Sequence, residues 1–386
     1  MASTGFKFGL VRPQPGGVID ASSYGSNVFQ PLPKPTGTAP YRLDLLTVIG
    51  ASAYNTIVKH QKMVFHTVGD TGGVVSPQDQ ILVADHLEAQ FVSGGIDNPA
   101  FFYVLGDVVY YYGEDGNYNT QFYEPYKFYP SPIFAIPGNH DGDLDPTVKK
   151  NAASLFAFNK LFCSASPVTP PEAGDAVRST MVQPNVYWTL TTPFANIIGL
   201  YTNVPEHGVV KADQQAWFVN ELKAAGAQQG QKALIVTLHH PPYSMDTHHG
   251  ASPAMQTLLN DSFKQSSVLP DMVLSGHVHN YQRFTQHNGG RDIPYIVAGA
   301  GGYYNLHLVD SPSATIVTPT NNIPFPNMTF ASYNEDSHGF LRMTIDGAAR
   351  TIKGEYFTVP TIRDNPKNGA VLFDSFVLDL KSHKVV

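Results

Sequence analysis

Short apolar runs alternate with amphipathic stretches through the middle of the chain. Residues 63–69 form a Val- and Phe-containing run typical of a buried strand, and residues 76–95 then carry apolar side chains at helical spacing, with Ser76 at the N-cap position. Residues 212–227 show a second amphipathic helical pattern. The strand pattern returns at residues 100–106, 131–139, 232–238, 270–276 and 294–302. This alternation of strands and helices predicts an α/β fold.

Both ends of the chain depart from this pattern. Residues 1–40 are rich in Pro, Gly and Ser, which predicts an extended arm rather than a domain. Residues 340–347, 351–359 and 370–380 alternate between apolar and polar positions and are joined by turns, which predicts antiparallel strands. We therefore expect residues 41–386 to form one large domain.

A polar side chain follows five of the predicted strands where each strand ends. These residues are Asp70, Asp107, Asn139, His239 and His277. In open α/β sheets the ligand crevice lies outside the carboxyl ends of the strands. We therefore expect the five side chains to meet at one edge of the fold.

The composition limits what the chain can bind. With 24 basic and 31 acidic residues among 386, the net charge is −7, so there is no overall electrostatic attraction to nucleic acid or to an anionic membrane. An anionic ligand must be held by a local positive centre. The single cysteine, Cys163, excludes a disulfide framework, a four-cysteine zinc site and a cysteine-held iron–sulfur cluster. The 15 histidines and 20 tyrosines supply other metal ligands and acid–base groups.

Two further residues lie next to the strand-end set, and together they form a candidate metal-ligand set. Its members are Asp70, Asp107, Tyr110, Asn139, His239, His277 and His279. Oxygen donors and imidazoles without a thiolate suit iron, zinc or manganese. Seven ligands are too many for one tetrahedral ion, but they suit two ions if one carboxylate bridges them. Asp107, in the middle of the set on a buried strand, is the expected bridge.

Five sequence blocks in a fixed order carry a family resemblance. They are residues 69–73, 106–110, 138–141, 236–240 and 276–279. In this order they resemble the metallophosphoesterase signature, and specifically its purple acid phosphatase branch. The general signature has a histidine where this chain has Gly72, whereas Tyr110, three residues after Asp107, marks the purple acid phosphatase type. The resemblance extends from about Val64 to Gly302.

The resemblance implies a fold, a reaction and a pair of metal ions. The implied fold is α/β, a two-sheet β-sandwich flanked by helices, and the implied reaction is that of an acid phosphatase, in which a metal-bound hydroxide hydrolyses phosphate monoesters. The implied ferric ion is held by Asp70, Tyr110, His279 and the bridging Asp107. The implied divalent ion (zinc, iron or manganese) is held by Asn139, His239, His277 and the same Asp107.

The resemblance also implies catalytic groups around the metals. His140 is expected to contact the phosphate and to protonate the leaving alkoxide, with Asp141 orienting it. His248 and His249 stand where plant members carry outer histidines, and a protonated imidazole there would bind a phosphate oxygen or act as a general acid. His240 fills a position that is often Ser or Tyr in the family, so its role stays open.

Two alternative functions use the same residues. A phosphodiesterase or nucleotide hydrolase would differ only in pocket shape, which the loops at residues 111–128 and 303–335 set. A catalytically dead metal-binding protein would lack ligands, and none of the seven is missing. Motifs of nucleotide-driven motors, zincins and serine hydrolases do not occur in the sequence.

The expected partner is a small phosphorylated substrate, with no nucleic acid and no membrane. No leader peptide is visible at the start, and no segment approaches the ~20 apolar residues that span a bilayer. The resemblance favours a secreted or periplasmic protein whose leader has been removed, and otherwise the cytoplasm. The sequence does not indicate an oligomeric state.

Overall fold

The structure is a computed structural model that describes residues 27–147, 153–309, 316–361, 364 and 368–386. Its strands, numbered in chain order, are β1 (Arg42–Asp44), β2 (Lys62–Val68), β3 (Phe102–Val104), β4 (Ile133–Ala135), β5 (Trp188–Thr191), β6 (Ala195–Gly199), β7 (Ala233–Leu238), β8 (Met272–Ser275), β9 (Tyr281–Asn288), β10 (Arg291–Ala298), β11 (Met328–Asn334), β12 (Gly339–Asp346), β13 (Thr351–Thr358), β14 (Val371–Asp379) and β15 (Lys384–Val385). Its helices are α1 (Leu45–His60), α2 (Pro77–Glu88), α3 (Asn139–Gly142), α4 (Phe156–Phe162), α5 (Ala212–Gly226) and α6 (Pro253–Ser266).

The strands form two mixed sheets. The first has the order β1-β5-β6-β7-β8-β10-β9-β11. In it, the adjacent pairs β6–β7, β7–β8 and β8–β10 are parallel. The second has the order β15-β14-β13-β12-β2-β3-β4, in which β2, β3 and β4 are parallel and β12 to β15 are antiparallel. The parallel strands therefore lie in the middle of the first sheet and at one end of the second, whose other end is formed by the antiparallel tail.

One apolar core lies between the sheets and another lies under the helices. Alternate residues of β3 divide between them, because successive side chains of a strand point to opposite faces. Tyr103 belongs to the inter-sheet core, where its ring lies 6.0 Å from that of Trp188 on the other sheet. Phe102 and Val104 belong to the core that also contains Val83 and Leu87 of α2. The predicted two-sheet sandwich flanked by helices is therefore confirmed.

Most of the predicted elements are present. The predicted strands correspond to β2, β3, β4, β7, β8, β10, β12, β13 and β14, and the predicted helices to α2 and α5. Ser76 occupies the N-cap position of α2, but its side chain makes no capping hydrogen bond. The sequence patterns did not predict α1, α6, β5, β6, β9 or β11.

The predicted N-terminal arm lies partly outside the described residues. Residues 1–26 are outside them, and residues 27–40 contain neither a helix nor a strand. The described part is held to the body of the protein by the backbone N–H of Gln30, which donates to Asn203 Oδ1 (2.8 Å), and by that of Gly37, which donates to the carbonyl of Pro184 (2.8 Å). That residues 41–386 form a single domain stays a prediction.

None of the helices in the described ranges has the length and apolar character needed to cross a lipid bilayer.

Candidate metal centre

The carboxyl ends of parallel strands from both sheets meet at one edge of the sandwich. The turns that follow these strands hydrogen-bond to each other: the N–H of Gly69 donates to the carbonyl of Ala298 (2.8 Å), and that of Asp70 to the carbonyl of Gly106 (2.9 Å). Asp70, Asp107 and His277 each have a positive φ, of 59°, 52° and 67°. Such backbone angles are unusual for residues with a side chain and concentrate at functional sites.

Three of the predicted ligands form a first set. The Oη of Tyr110 lies 3.3 Å from Asp70 Oδ1 and 3.4 Å from His279 Nε2, and His279 Nε2 lies 3.6 Å from Asp70 Oδ1. All three side chains are buried. Two ligands held ~2.0–2.2 Å from one ion stand about 3.0–3.5 Å apart, so this spacing fits a single metal position.

The other four predicted ligands form a second set. His239 Nε2 lies 3.3 Å from Asp107 Oδ2 and 3.0 Å from Asn139 Oδ1, and His277 Nδ1 lies 3.0 Å from the same Asn139 oxygen. Suitable ligand atoms of Asp107, His239 and His277 all lie within 4.8 Å of one another. The two sets adjoin, because His239 Nε2 also lies 3.9 Å from Asp70 Oδ1.

The hydrogen bonds around the histidines determine which ring nitrogen faces each set. The Nδ1 of His239 is 2.8 Å from the carbonyl of Leu105, and that of His279 is 2.8 Å from the carbonyl of Asn305, so in each ring Nδ1 carries a proton. Each Nε2 then faces carboxylate, amide or phenol oxygens. A proton or a metal ion must lie between such acceptors, and a backbone partner for the second nitrogen is typical of metal-binding histidines. The residues present therefore fit a metal centre.

The pKa directions also indicate a site that needs a cation. Burial, together with Asp107 and Asp70, raises the pKa of Tyr110 well above its usual value. Burial disfavours a charged His239, but Asp107 and Asp70 outweigh it and raise its pKa to about 9. Without metal, a proton on His239 therefore offsets the buried negative charge, and a metal ion at this position would replace that proton.

His140 and Asp141 lie against the second set, in α3. The backbone N–H of His140 donates to Asp107 Oδ1 (2.9 Å), and its ring Nδ1 donates to the carbonyl of Tyr111 (2.8 Å). Asp141 does not orient His140 as expected. Its carboxylate instead accepts the backbone N–H groups of Gly138 (2.8 Å), Val108 (3.1 Å) and Val109 (3.2 Å), and so joins the turns after β3 and β4. Burial and the nearby Asp107 raise the pKa of Asp141 to about 7.

Gln121 holds the backbone of Tyr110. Its Oε1 accepts the N–H of Tyr110 (2.8 Å), and its Nε2 donates to the carbonyl of Tyr110 (3.0 Å). The ring of Tyr110 also stacks on that of Tyr303, with centroids 4.1 Å apart. Gln121 therefore holds the backbone of Tyr110, and Tyr303 packs against its ring.

His248 and His249 lie on the outer side of the second set. The ring of His249 lies 4.1 Å from that of His277 and 6.2 Å from that of His279. Its Nδ1 is 2.5 Å from Glu206 Oε1, which also lies 3.9 Å from His277 Nε2. His248 is exposed, and its ring is 4.6 Å from that of His249.

His240 lies behind the second set rather than in it. It is fully buried, and its ring packs 4.3 Å from that of His277. Its Nδ1 hydrogen-bonds to Thr202 Oγ1 (2.7 Å). Burial and the neighbouring His239 lower the pKa of His240 well below its usual value, so it is a neutral packing group for the His277 ring.

Four residues of the site were not identified from the sequence, and they are Gln121, Glu206, Asp246 and His307. Each lies outside the regular strands, in a segment without a recognisable motif. His307 had one available signal, since it lies a few positions after the glycine-rich segment at residues 299–302, where the family resemblance ends.

Sequence comparisons point to one family. The profile of the calcineurin-like phosphoesterase family matches residues 63–281. Purple acid phosphatase 21 of Arabidopsis thaliana is 31% identical over 178 residues, which are 44% of this chain and 36% of that protein. Purple acid phosphatase 1 of Ipomoea batatas is 29% identical over 148 residues, 38% of this chain and 28% of that protein. The matched segments thus span about a third of the length of these relatives.

Solved structures share the fold at low sequence identity. GAP50, described as the anchor in the inner membrane complex of Plasmodium, aligns with a TM-score of 0.51 at 16% identity, covering 81% of this chain and 87% of that one. PhoD aligns with a TM-score of 0.52 at 14% identity, covering 84% and 71%. These likenesses concern the fold alone. Because the family profile matches more than half of the residues, from β2 to the start of β9, this chain belongs to the calcineurin-like phosphoesterase family.

Proposed function

We propose that this chain hydrolyses phosphate monoesters at a centre of one ferric and one divalent metal ion. The observation that carries the proposal is the division of seven side chains into two adjoining sets, one of which contains a phenol. A phenolate is an anionic oxygen donor that favours ferric iron, whereas the amide and imidazoles of the second set suit a divalent ion such as zinc, iron or manganese.

The proposed ligands follow from the two sets. Asp70, Tyr110 and His279 would hold the ferric ion. Asn139, His239 and His277 would hold the divalent ion, and Asp107 would bridge the two. When bound, such a pair supplies Lewis acidity toward the phosphoryl oxygens and lowers the pKa of water at the site.

His140 is proposed to contact the substrate. Because the Tyr111 carbonyl occupies its Nδ1–H (2.8 Å), Nε2 is the nitrogen available to a phosphate oxygen. The hydrogen bond from its backbone N–H to Asp107 Oδ1 fixes the ring next to the proposed bridge. A protonated His140 would stabilise the negative charge that develops on the phosphoryl oxygens in the transition state.

Glu206 and His249 are proposed to act as a pair on the leaving group. Their 2.5 Å contact fixes Nδ1 of the imidazole and leaves Nε2 to give a proton to the departing alkoxide. His248, exposed beside His249, is proposed to bind an outer oxygen of the substrate. The positions of all three at the outer side of the second ligand set support these roles.

The proposal is tested by loading the purified protein with iron and zinc and comparing hydrolysis of para-nitrophenyl phosphate, its diester and ATP. We expect the monoester to be hydrolysed fastest and a visible phenolate-to-iron absorption band to accompany activity. Asp107→Ala should abolish turnover, because it removes the bridge, whereas Asp213→Ala, on the exposed start of α5, should not.

Other results would change the assignment. A preference for the diester or for ATP would identify a phosphodiesterase or a nucleotide hydrolase. An active but colourless protein containing two zinc or manganese ions would overturn the ferric part. Full metal occupancy without turnover of any phosphoester would identify a metal-binding protein instead of an enzyme.

A further inference from the structure

Three imidazoles form a further group that adjoins the buried centre, where the ring of His307 lies 4.3 Å from that of His279. One ring nitrogen of each of His248, His249 and His307 lies within 4.8 Å of the others. The ring centroids are 4.6 Å apart for His248 and His307 and 5.0 Å apart for His249 and His307. His307 is buried and His248 is exposed, so the group extends from the interior to the surface.

Carboxylates stand behind two of these imidazoles. Glu206 Oε1 is 2.5 Å from His249 Nδ1, and Asp246 Oδ1 is 3.6 Å from His307 Nδ1. A carboxylate at Nδ1 orients a histidine so that Nε2 faces a metal ion, and such carboxylate–histidine pairs are common around zinc. The hydrogen bond from His249 to Glu206 therefore directs Nε2 of His249 away from the carboxylate, whereas Asp246 lies on the Nδ1 side of His307 without a hydrogen bond to it.

The buried end of this group has unmet hydrogen-bonding capacity. Within the described part of the chain, neither His307 Nδ1 nor Asp246 Oδ1 has a hydrogen-bond partner, although both atoms are buried. A buried polar atom without a partner has lost its hydration without gaining a hydrogen bond in exchange. A metal ion bound to Nε2 of His307 would hold the ring in position. A shift of a few tenths of an ångström would then bring Nδ1 of His307 and Oδ1 of Asp246 into hydrogen-bond contact.

The two segments that carry the group are already joined. The backbone N–H of Thr247 donates to the carbonyl of Leu308 (3.2 Å), and Asp246 forms an isolated β-bridge with Val309. The other carboxylate oxygen of Asp246 accepts the backbone N–H groups of His248 (2.9 Å) and His249 (2.5 Å). The loop that carries two of the imidazoles is thus fixed against the segment that carries the third.

We propose that His248, His249 and His307 form a third metal site, which binds Zn²⁺. Three neutral imidazoles with an open fourth position are a common zinc environment, and zinc holds its ligand atoms about 3.3 Å apart. A rotation of the exposed His248 side chain toward the other two rings would shorten the distances between the ring nitrogens, which now lie within 4.8 Å of one another. Because that side chain reaches the surface, the ion at this site exchanges with the solvent.

The third metal site and the proposed reaction share one residue, His249. Zinc would occupy the nitrogen of His249 that is proposed to protonate the leaving group, so filling the third site would inhibit turnover. This consequence rests on the proposed function. The existence of the site does not, and a count of bound zinc tests it without any measurement of activity.

The experiment equilibrates the full chain with buffered Zn²⁺ and counts the metal by elemental mass spectrometry. Wild type should hold one equivalent of zinc more than His307→Gln and than His248→Gln. Asp246→Asn keeps one oxygen for the backbone N–H groups of His248 and His249 but removes the carboxylate charge beside His307, and it should weaken binding of the extra equivalent about 10- to 100-fold. The difference between wild type and variant counts this site however many ions the buried centre holds.

Controls separate the site from general effects. His60→Gln replaces an exposed histidine at the end of α1 and should keep the wild-type zinc content. His248→Gln alters an exposed residue, so it stays informative if the buried His307→Gln variant fails to fold. Equal zinc contents in wild type, His248→Gln and folded His307→Gln would overturn the proposal.

Discussion

At Gly72 the backbone passes directly against the ring of Tyr110. A Cβ at this position would stand 2.7 Å from Tyr110 Cδ2 and 2.5 Å from Gln121 Oε1, and both distances are too short for atoms in contact. The general metallophosphoesterase signature has a histidine here. In this chain the space belongs to Tyr110, which enters from the loop after β3. The glycine and the tyrosine therefore depend on each other.

Gly72→Ala should displace the ring of Tyr110 and the side chain of Gln121. Because overpacking of a buried site costs about 1–3 kcal/mol, we expect lower stability. Under the proposed ferric assignment, the displaced phenol should also weaken the phenolate-to-iron absorption band. Urea unfolding and the visible spectrum measure the two effects. Gly116→Ala, in the loop after β3 that also carries Tyr110, has open space at its Cβ and should change neither the stability nor the visible spectrum. An unchanged spectrum in Gly72→Ala would contradict this account.

Tyr110→Phe removes one oxygen and keeps the ring. The ring can still stack on Tyr303, so the fold should persist while the first ligand set loses its phenol oxygen. We expect the visible band to disappear and the iron content to fall, measured by absorption and elemental analysis. Tyr118→Phe is the matched control, because Tyr118 is also fully buried and its hydroxyl has no hydrogen-bond partner in the described residues. Iron that remained coloured in Tyr110→Phe would exclude this phenol as the ligand.

The seven candidate ligands were predictable because each lies in a motif at or near a strand end. The residues that position them were not predictable. Gln121 reaches Tyr110 from a turn of irregular helix, and Glu206 reaches His249 from a loop 43 positions away in the chain. Contacts of this kind depend on loop conformation, which leaves no periodic trace in the sequence. The expectation that Asp141 orients His140 was wrong because the backbone amides of the neighbouring turns lie closer to that carboxylate.

An ion pair joins the two sheets between β9 and β14. Arg283 donates through Nε and Nη2 to Asp374, at 2.7 and 2.9 Å, and the hydroxyl of Tyr281 donates to the same carboxylate (2.7 Å). The side chains of Arg283 and Asp374 are only 10% and 11% exposed. β9 belongs to the first sheet and β14 to the second, so the pair connects the antiparallel tail to the strand that follows His279.

Asp374→Ala should destabilise the protein by about 3–5 kcal/mol, because it leaves the Arg283 guanidinium buried without its partner. Chemical denaturation measures this loss. Glu355→Ala, which removes the partner of Lys353 (2.6 Å), should cost no more than about 1 kcal/mol, because the Lys353 side chain is 46% exposed and stays hydrated. A similar small cost for both variants would show that Arg283 finds another partner or solvent. Zinc and iron contents should be unchanged in both, since neither residue lies at the centre.

The elements found from the sequence are those with a clear pattern on a buried face. β2, β3, β7 and β8 are apolar runs buried on both sides. The helix α1 was missed because, among its 16 residues, only Leu45 is buried and Gly50 interrupts the helical backbone. β9 was missed because its buried residues include Gln282 and Arg283, which are polar in the sequence. Their partners lie far away in the chain: Ser244 in a loop and Asp374 on β14.

Across the whole molecule, several histidines are buried in a neutral state. Burial lowers the pKa of His66, His240 and His338 below the usual value, and for His66 the value is about 3. His66 lies on β2, between Tyr129 Oη (3.0 Å) and Gln90 Oε1 (3.1 Å). Protonating such a group requires the fold to accept a buried charge, so these histidines link folding stability to pH.

His66 should make the folded protein sensitive to acid. Between pH 6.5 and about 3, the unfolded chain binds a proton at His66 that the folded chain does not, so the free energy of unfolding falls as the pH falls through this window. A difference of one in pKa is worth about 1.4 kcal/mol, so the loss amounts to several kcal/mol. His66→Gln should be less stable at neutral pH but should lose less stability on acidification, whereas His60→Gln should follow wild type. Denaturant unfolding of the metal-loaded proteins at several pH values measures this. If the free energy of unfolding falls equally with pH in His66→Gln and wild type, His66 is charged in the folded state or exposed before unfolding.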